Sequence, residues 1–255
     1  MYWRKNKMPT YRITKPYTAK SRPIIFKGEM VKSILEGRKT QTRRIINPRS
    51  KNAFIYEPDN IYSYSIRDRH ALWNSFKTLD ELVEKFCPYG VPGDFLYIKE
   101  GFVTFSHRHV ENHDRKYPTH RHLPHYPDCI TLFKVDDYEL PNNIKWGSPI
   151  FMRKNESRIS LRIVEIGVER VQEIDDYGAI SEGVEPDLMG NASDLFKEHD
   201  VILDKDFEHP SDFGFWKNPK GKFIELWDSI NAKRGYSWES NPWVFVIEFE
   251  RIEDE

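Results

Sequence analysis

At 255 residues the chain is long enough to bury a real core, as one elaborated domain or two small ones, and its formal net charge of −1 hides an asymmetry. No acidic residue precedes Glu29, whereas Arg4, Lys5, Lys7, Arg12, Lys15, Lys20, Arg22 and Lys27 are basic. No apolar run approaches the roughly 18 residues of a membrane span, the first residues lack the apolar stretch of a signal peptide, and Cys87 and Cys129 are too few for a disulfide framework, so a cytoplasmic protein without a membrane anchor is expected.

In chain order, residues 1–21 read as a basic arm suited to phosphate contact. From Arg22 to Ile46 the pattern is strand, helix, strand. Val31, Ile34 and Leu35 recur at helical spacing, Gly37 ends the helix in a left-handed conformation, and Thr40 to Ile46 is rich in β-branched residues. Residues 47–77 are polar and aromatic without a clear period and read as an insertion. Thr78 to Glu81 has capping-box spacing and opens a helix with Leu79, Leu82, Val83 and Phe86 on one face. A turn at Val91–Asp94 precedes a strand from Phe95 to Lys99. Residues 103–128 read as a histidine-rich loop, and Thr131 to Val135 as a short strand. Ser157 to Val168 alternates as a strand, with a phase shift at Val164–Glu165 that predicts a bulge. Asp175 or Asp176 caps a helix ending near Gly183, and residues 185–215 form a loop-rich insertion. Phe223, Leu226, Trp227 and Ile230 line a helix. Trp243, Phe245, Ile247 and Phe249 alternate along a closing strand. The expected class is a β-rich α+β domain.

The octet Gly37-Arg38-Lys39-Thr40-Gln41-Thr42-Arg43-Arg44 concentrates candidate chemistry at a helix-to-strand turn. Crowded cations there are costly unless something negative sits among them. On a strand, Thr40, Thr42 and Arg44 share one face and Gln41 and Arg43 the other, so Lys39 meets Thr42 only if it sits at the turn itself. A lysine held neutral by burial and neighbouring cations can serve as a base, and a threonine hydroxyl beside it can attack a carbonyl. Arg38 and Arg44 lower the lysine pKa, and a carboxylate, with Glu182 the candidate, orients it or moves a proton. Tyr97, Phe102, Trp146, Trp216, Tyr236 and Trp238 offer stacking faces. Trp238, in a polar loop, is the ligand-binding candidate among them; Trp227 and Trp243 sit in core patterns, and Trp146 fits a core plug as well as a stacking face. His107, His109, His113, His120, His122 and His125 cluster, but Arg108, Arg115, Lys116 and Arg121 among them repel a cation, so no metal is expected.

Three stretches add to the octet: Arg22-Pro23-Ile24-Ile25-Phe26 before it, Cys87 to Asp94, and Ser157-Arg158-Ile159 through Val168-Glu169-Arg170-Val171. Ala179 to Gly183, Leu226 to Asn231 and Asn241 to Phe249 complete the set. In this order the chain resembles the ASCH domain family of the PUA-like superfamily, and most closely its long bacteriophage and prophage members. The resemblance implies one domain over 22–252: a PUA-like β-barrel with flanking helices, decorated by insertions near 47–77, 103–128 and 185–215, with a cleft lined by the octet. It implies recognition of RNA, single-stranded nucleic acid or a modified nucleoside, with Arg38, Arg43 and Arg44 as ligand-binding residues and Lys99 and Glu100 as secondary ones. One small ASCH group removes the acetyl group from N4-acetylcytidine, and its lysine, threonine and glutamate fall on Lys39, Thr42 and Glu182. Some relatives are reported to cut RNA. No cofactor is implied. The chain has Lys99-Glu100-Gly101-Phe102 where phage relatives often show Arg-Glu-Thr-Trp, and Phe151 to Asn155 where they often show His-Met-Pro-Arg-Trp.

Overall fold

The computed structural model describes residues 18–46, 64–67, 73–76, 79–106, 121–123, 126–140, 144–185, 187–188, 216–217 and 219–252. In chain order these form β1 (Ser21–Ile25), α1 (Gly28–Leu35), β2 (Gln41–Ile45), β3 (Tyr64–Arg67), β4 (Trp73–Phe76), α2 (Leu79–Phe86), β5 (Phe95–Lys99), β6 (Phe102–Ser106), β7 (Arg121–Leu123) and β8 (Tyr126–Phe133). There follow β9 (Ser160–Arg170), α3 (Asp176–Ser181), β10 (Asp187–Leu188), β11 (Trp216–Lys217), α4 (Pro219–Asn231) and β12 (Trp243–Ile252).

The central sheet has five strands in the order β1-β5-β9-β12-β2. Strand β1 runs parallel to β5, and the other pairs are antiparallel. The fold is therefore mixed α+β. Its edge strands β1 and β2 do not pair with each other among the described residues, so the sheet there is open rather than a closed barrel. The two edges meet through a side chain instead: the Arg44 guanidinium on β2 donates to the carbonyl of Ile25 on β1 at 2.9 Å.

Strand β12 shows why its residues are hydrophobic in an unbroken run. Phe245, Ile247 and Phe249 enter one core, with Ile24, Leu96, Leu161 and Ile163. Val244 and Val246 enter a second core on the other side, with Ala179, Phe223 and Trp227. A sheet covered on both faces has no polar side to alternate with. The bulge expected in β9 is present: Glu248 pairs with Glu165 and Phe249 with Ile163, leaving Val164 unpaired and 49% exposed.

The expected loop at 103–128 is corrected. Strands β6, β8 and β7 form a three-stranded sheet in that order, and β8 starts at Tyr126 instead of Thr131. Phe105, Ile130 and Leu132 supply its apolar face, a signal that the interspersed histidines obscured. The stretch 47–77, expected as an insertion, contains the β3–β4 hairpin. The basic arm as far as residue 17, Thr78, most of 185–215, and His107, His109, His113, His120 and His125 lie outside the described residues. No helix among the described residues is long and apolar enough to cross a membrane.

The turn before β5 is clamped by Asp94, which is fully buried. Its carboxylate pairs with Arg22 and accepts the backbone N–H groups of Lys20 and Val91. Cys87 is buried beside this turn, and burial pushes its thiol up to about 11, which suits a structural role.

Candidate functional site

Helix α1 ends at Gly37, whose φ of +75° is left-handed. The Arg38 and Lys39 backbone N–H groups then both donate to the Ser33 carbonyl, at 2.9 and 3.0 Å. This tight exit turns the Lys39 side chain inward, where the residue is 2% exposed. Its Nζ donates to Glu182 Oε2 at 2.7 Å, to the Glu182 carbonyl at 2.7 Å and to the Gln41 carbonyl at 2.8 Å. Three acceptors match the three donors of an ammonium group. Burial pushes the Lys39 pKa down from its ordinary value; the Glu182 charge opposes this, and Arg44 and Arg43 add to it.

Glu182 follows α3 directly and is 3% exposed. Its second oxygen accepts the Arg43 backbone N–H in a short hydrogen bond. Arg43 in turn donates from Nε to Glu169 at 2.6 Å and from Nη1 to the Gln41 side chain at 2.7 Å. Burial raises the Glu169 pKa against the pull of Arg43. The turn after α3 requires a glycine: Gly183 has φ +83°, and a Cβ there lies 2.9 Å from the Cβ atoms of both Lys39 and Ser33.

The alternation along β2 is as expected. Arg43 lies over Phe223 of the second core, 5.9 Å from the ring centre, and Arg44 lies over Phe26 of the first, at 4.8 Å. Because β2 is an edge strand, both faces reach one cleft of about 730 Å³ at the open seam. Thr42, Arg43, Arg44 and Glu182 line it, with Phe26 and Tyr89 on one side and Trp227, Asn231, Arg234 and Tyr236 on the other. The Thr42 hydroxyl makes no hydrogen bond among the described residues. Arg44 Nε is buried without an acceptor. Lys39, Arg43 and Arg44 set three cations against the two carboxylates of Glu169 and Glu182.

The structure thus brings together Thr42, Arg43, Arg44 and Glu182, with Lys39 behind the cleft wall. Four other candidates are not among the residues lining the cleft. Arg38 is exposed and paired with Glu36 at 2.6 Å, because the turn that buries Lys39 sends its neighbour outward. Lys99 donates to the Ile150 carbonyl. Glu100 is 2% exposed and paired with Arg158 at 3.0 Å; burial raises its pKa and Arg158 opposes the rise. Trp238 packs edge-on against Phe223 at 6.3 Å in the second core. Its loop is held in place by Asp228 of α4, which accepts the Trp238 N–H at 2.7 Å, and by Asn241, which accepts the Gln172 N–H at 3.1 Å. Tyr89, Asn231 and Arg234 line the cleft without having been assigned a site role; Tyr89 and Asn231 lie in stretches that carry the resemblance, whereas no local pattern marks Arg234, and all three reach the cleft from distant segments. Comparison with family models, curated proteins and solved structures yields no match.

Proposed function

We propose that the chain is an elaborated ASCH-type, PUA-like domain that recognises a nucleobase, in nucleic acid or a modified nucleoside, within the cleft at the open seam. The observation that carries this reading is Arg44. Its guanidinium is wedged between Phe26 and Tyr89, spends Nη2 on Ile25, and holds Nε buried with no acceptor. An unmet buried donor costs about 1–3 kcal/mol. A ligand carbonyl or ring nitrogen entering the cleft removes that cost. The volume of about 730 Å³ suits a nucleoside-sized group, and Tyr89, Trp146 and Tyr236 provide aromatic walls. The resemblance to phage-type relatives points to an RNA-related ligand in the cytoplasm of a bacterial host. Calorimetric titration with nucleosides and short oligonucleotides tests the reading. Arg44→Ala is expected to weaken binding at least about tenfold without loss of folding; equal affinity in wild type and variant overturns it.

A second reading rests on Thr42, whose unbonded hydroxyl lines the same cleft as Glu182. In it Thr42 attacks the acyl carbon of an N4-acylated cytidine, Glu182 carries the hydroxyl proton to the leaving N4 amine as the C–N bond breaks, and water then hydrolyses the acyl-threonine ester to release the carboxylic acid and restore the Thr42 hydroxyl. Lys39, tied to three acceptors, orients Glu182. Chromatography of N4-acetylcytidine after incubation decides it: Thr42→Val abolishes cytidine formation if the protein hydrolyses it, and absence of turnover by the wild type leaves binding alone.

A further inference from the structure

Ile150 and Phe151 stand out on the surface, at 61% and 78% exposed. They lie on a single 3-10 turn, Pro149–Phe151, that is anchored at both ends. On one side Ser148 and Pro149 line the cleft, and the Gly147 N–H donates to the Phe102 carbonyl at 2.7 Å. On the other, Met152 is buried against Phe102 and Phe133. Lys99 holds the turn from beneath through the Ile150 carbonyl. Two large apolar side chains are therefore presented to water by a tethered turn at the edge of a nucleoside-sized cleft, an arrangement that core packing does not require.

The charge around them identifies the occupant. Lys145, Arg153 and Lys154 flank the turn and are exposed. The Glu156 carboxylate is turned onto the Arg153 backbone N–H at 2.6 Å. Within the cleft Lys134 and Arg234 have no carboxylate partner among the described residues. One exposed aromatic ring, Phe151, with Ile150 beside it and cations on either side matches a polyanion that carries π faces, as single-stranded nucleic acid does.

We infer that the ligand is a nucleic-acid strand instead of a free nucleoside, with one base in the cleft and the adjoining base stacked on Phe151, Ile150 filling the space beside it. Backbone phosphates meet Lys145, Arg153 and Lys154. This rests on the base-recognition reading above and adds the polymer to it.

The experiment uses the full chain and two probes: a labelled ten-nucleotide single strand, as RNA and as DNA, followed by anisotropy, and nucleoside monophosphates followed by calorimetry. Phe151 is exposed, so Phe151→Ala leaves the core intact. That variant is expected to weaken oligonucleotide binding about tenfold, to leave monophosphate binding unchanged, and to be rescued by Phe151→Trp. The RNA and DNA arms show which sugar is preferred. Oligonucleotide affinity within about twofold of wild type in Phe151→Ala, with Arg44→Ala still weakening both probes, overturns the stacking role alone. Failure of the wild type to bind either probe overturns both readings.

Discussion

Lys39, Glu182 and Arg43 show how much a buried charge depends on its partners. Removing one member of a buried ion pair strands the other, at a cost of about 3–5 kcal/mol. Glu182→Ala is expected to lose that much in urea unfolding, because Lys39 Nζ is left with only the carbonyls of Gln41 and Glu182. Lys39→Met combined with Glu182→Gln should recover part of the loss, since no charge then remains unpaired in that pair. Glu169 yields a prediction in pH. Its folded pKa lies above the ordinary carboxylate value of 4.5. The folded state therefore takes up this proton at higher pH than the unfolded state. The contribution is fully present below 4.5 and is lost as pH rises through the folded value. Thermal melts at neutral pH and near pH 5 should show wild type gaining on acidification relative to Glu169→Gln; parallel shifts in the two proteins contradict the assignment.

At the scale of elements, the site is a junction between an edge strand and two helix ends. The loops that leave α1 and α3 face each other, with the Thr40 N–H donating to the Ser181 carbonyl at 3.0 Å and the Ser33 hydroxyl to the Gly183 carbonyl at 3.1 Å. Gly183 allows this approach. Gly183→Ala is expected to cost about 1–3 kcal/mol through its positive φ and its contact with Lys39, and to shift Glu182 away from the Arg43 N–H, visible as loss of ligand binding in a variant that still folds. Strand β12 lies between β9 and β2 and feeds both cores. Phe245→Ala should cost about 3–5 kcal/mol and lower the melting point without altering which ligand binds.

Across the whole molecule, a net charge of −1 coexists with a cleft lined by Lys27, Arg43, Arg44, Lys134 and Arg234 against Glu182. Local field, and not net charge, steers an anionic ligand. Oligonucleotide affinity should fall linearly on a log–log plot against salt, and Arg234→Ala should reduce the slope by about one while leaving base preference unchanged. A slope independent of that substitution removes Arg234 from phosphate contact.

Much of this architecture is written in local pattern. The apolar spacing of Val31, Ile34 and Leu35, the glycine stop at Gly37, the phase slip at Val164 and the alternation of Phe245, Ile247 and Phe249 each depend on near neighbours, and each element stands where that pattern put it. The choice of Lys39, Thr42 and Glu182 as neighbours came from motif resemblance, and the structure brings the Glu182 carboxylate to Lys39 Nζ and the Arg43 N–H. Packing alone decided the rest. Whether an arginine in a basic run is buried, as Arg43 is, or solvated, as Arg38 is, depends on what the fold lays over it. The Trp238 ring packed partly against the second core, the histidine-rich stretch concealed a sheet, and Glu100 paired with Arg158. A cleft is assembled from segments far apart in the chain, and its unmet donor on Arg44 exists only because Phe26, Tyr89 and Ile25 close around it. Local periodicity reports which side of an element is apolar; which surfaces meet, and which charges lose water, follows from the free energy of the whole chain.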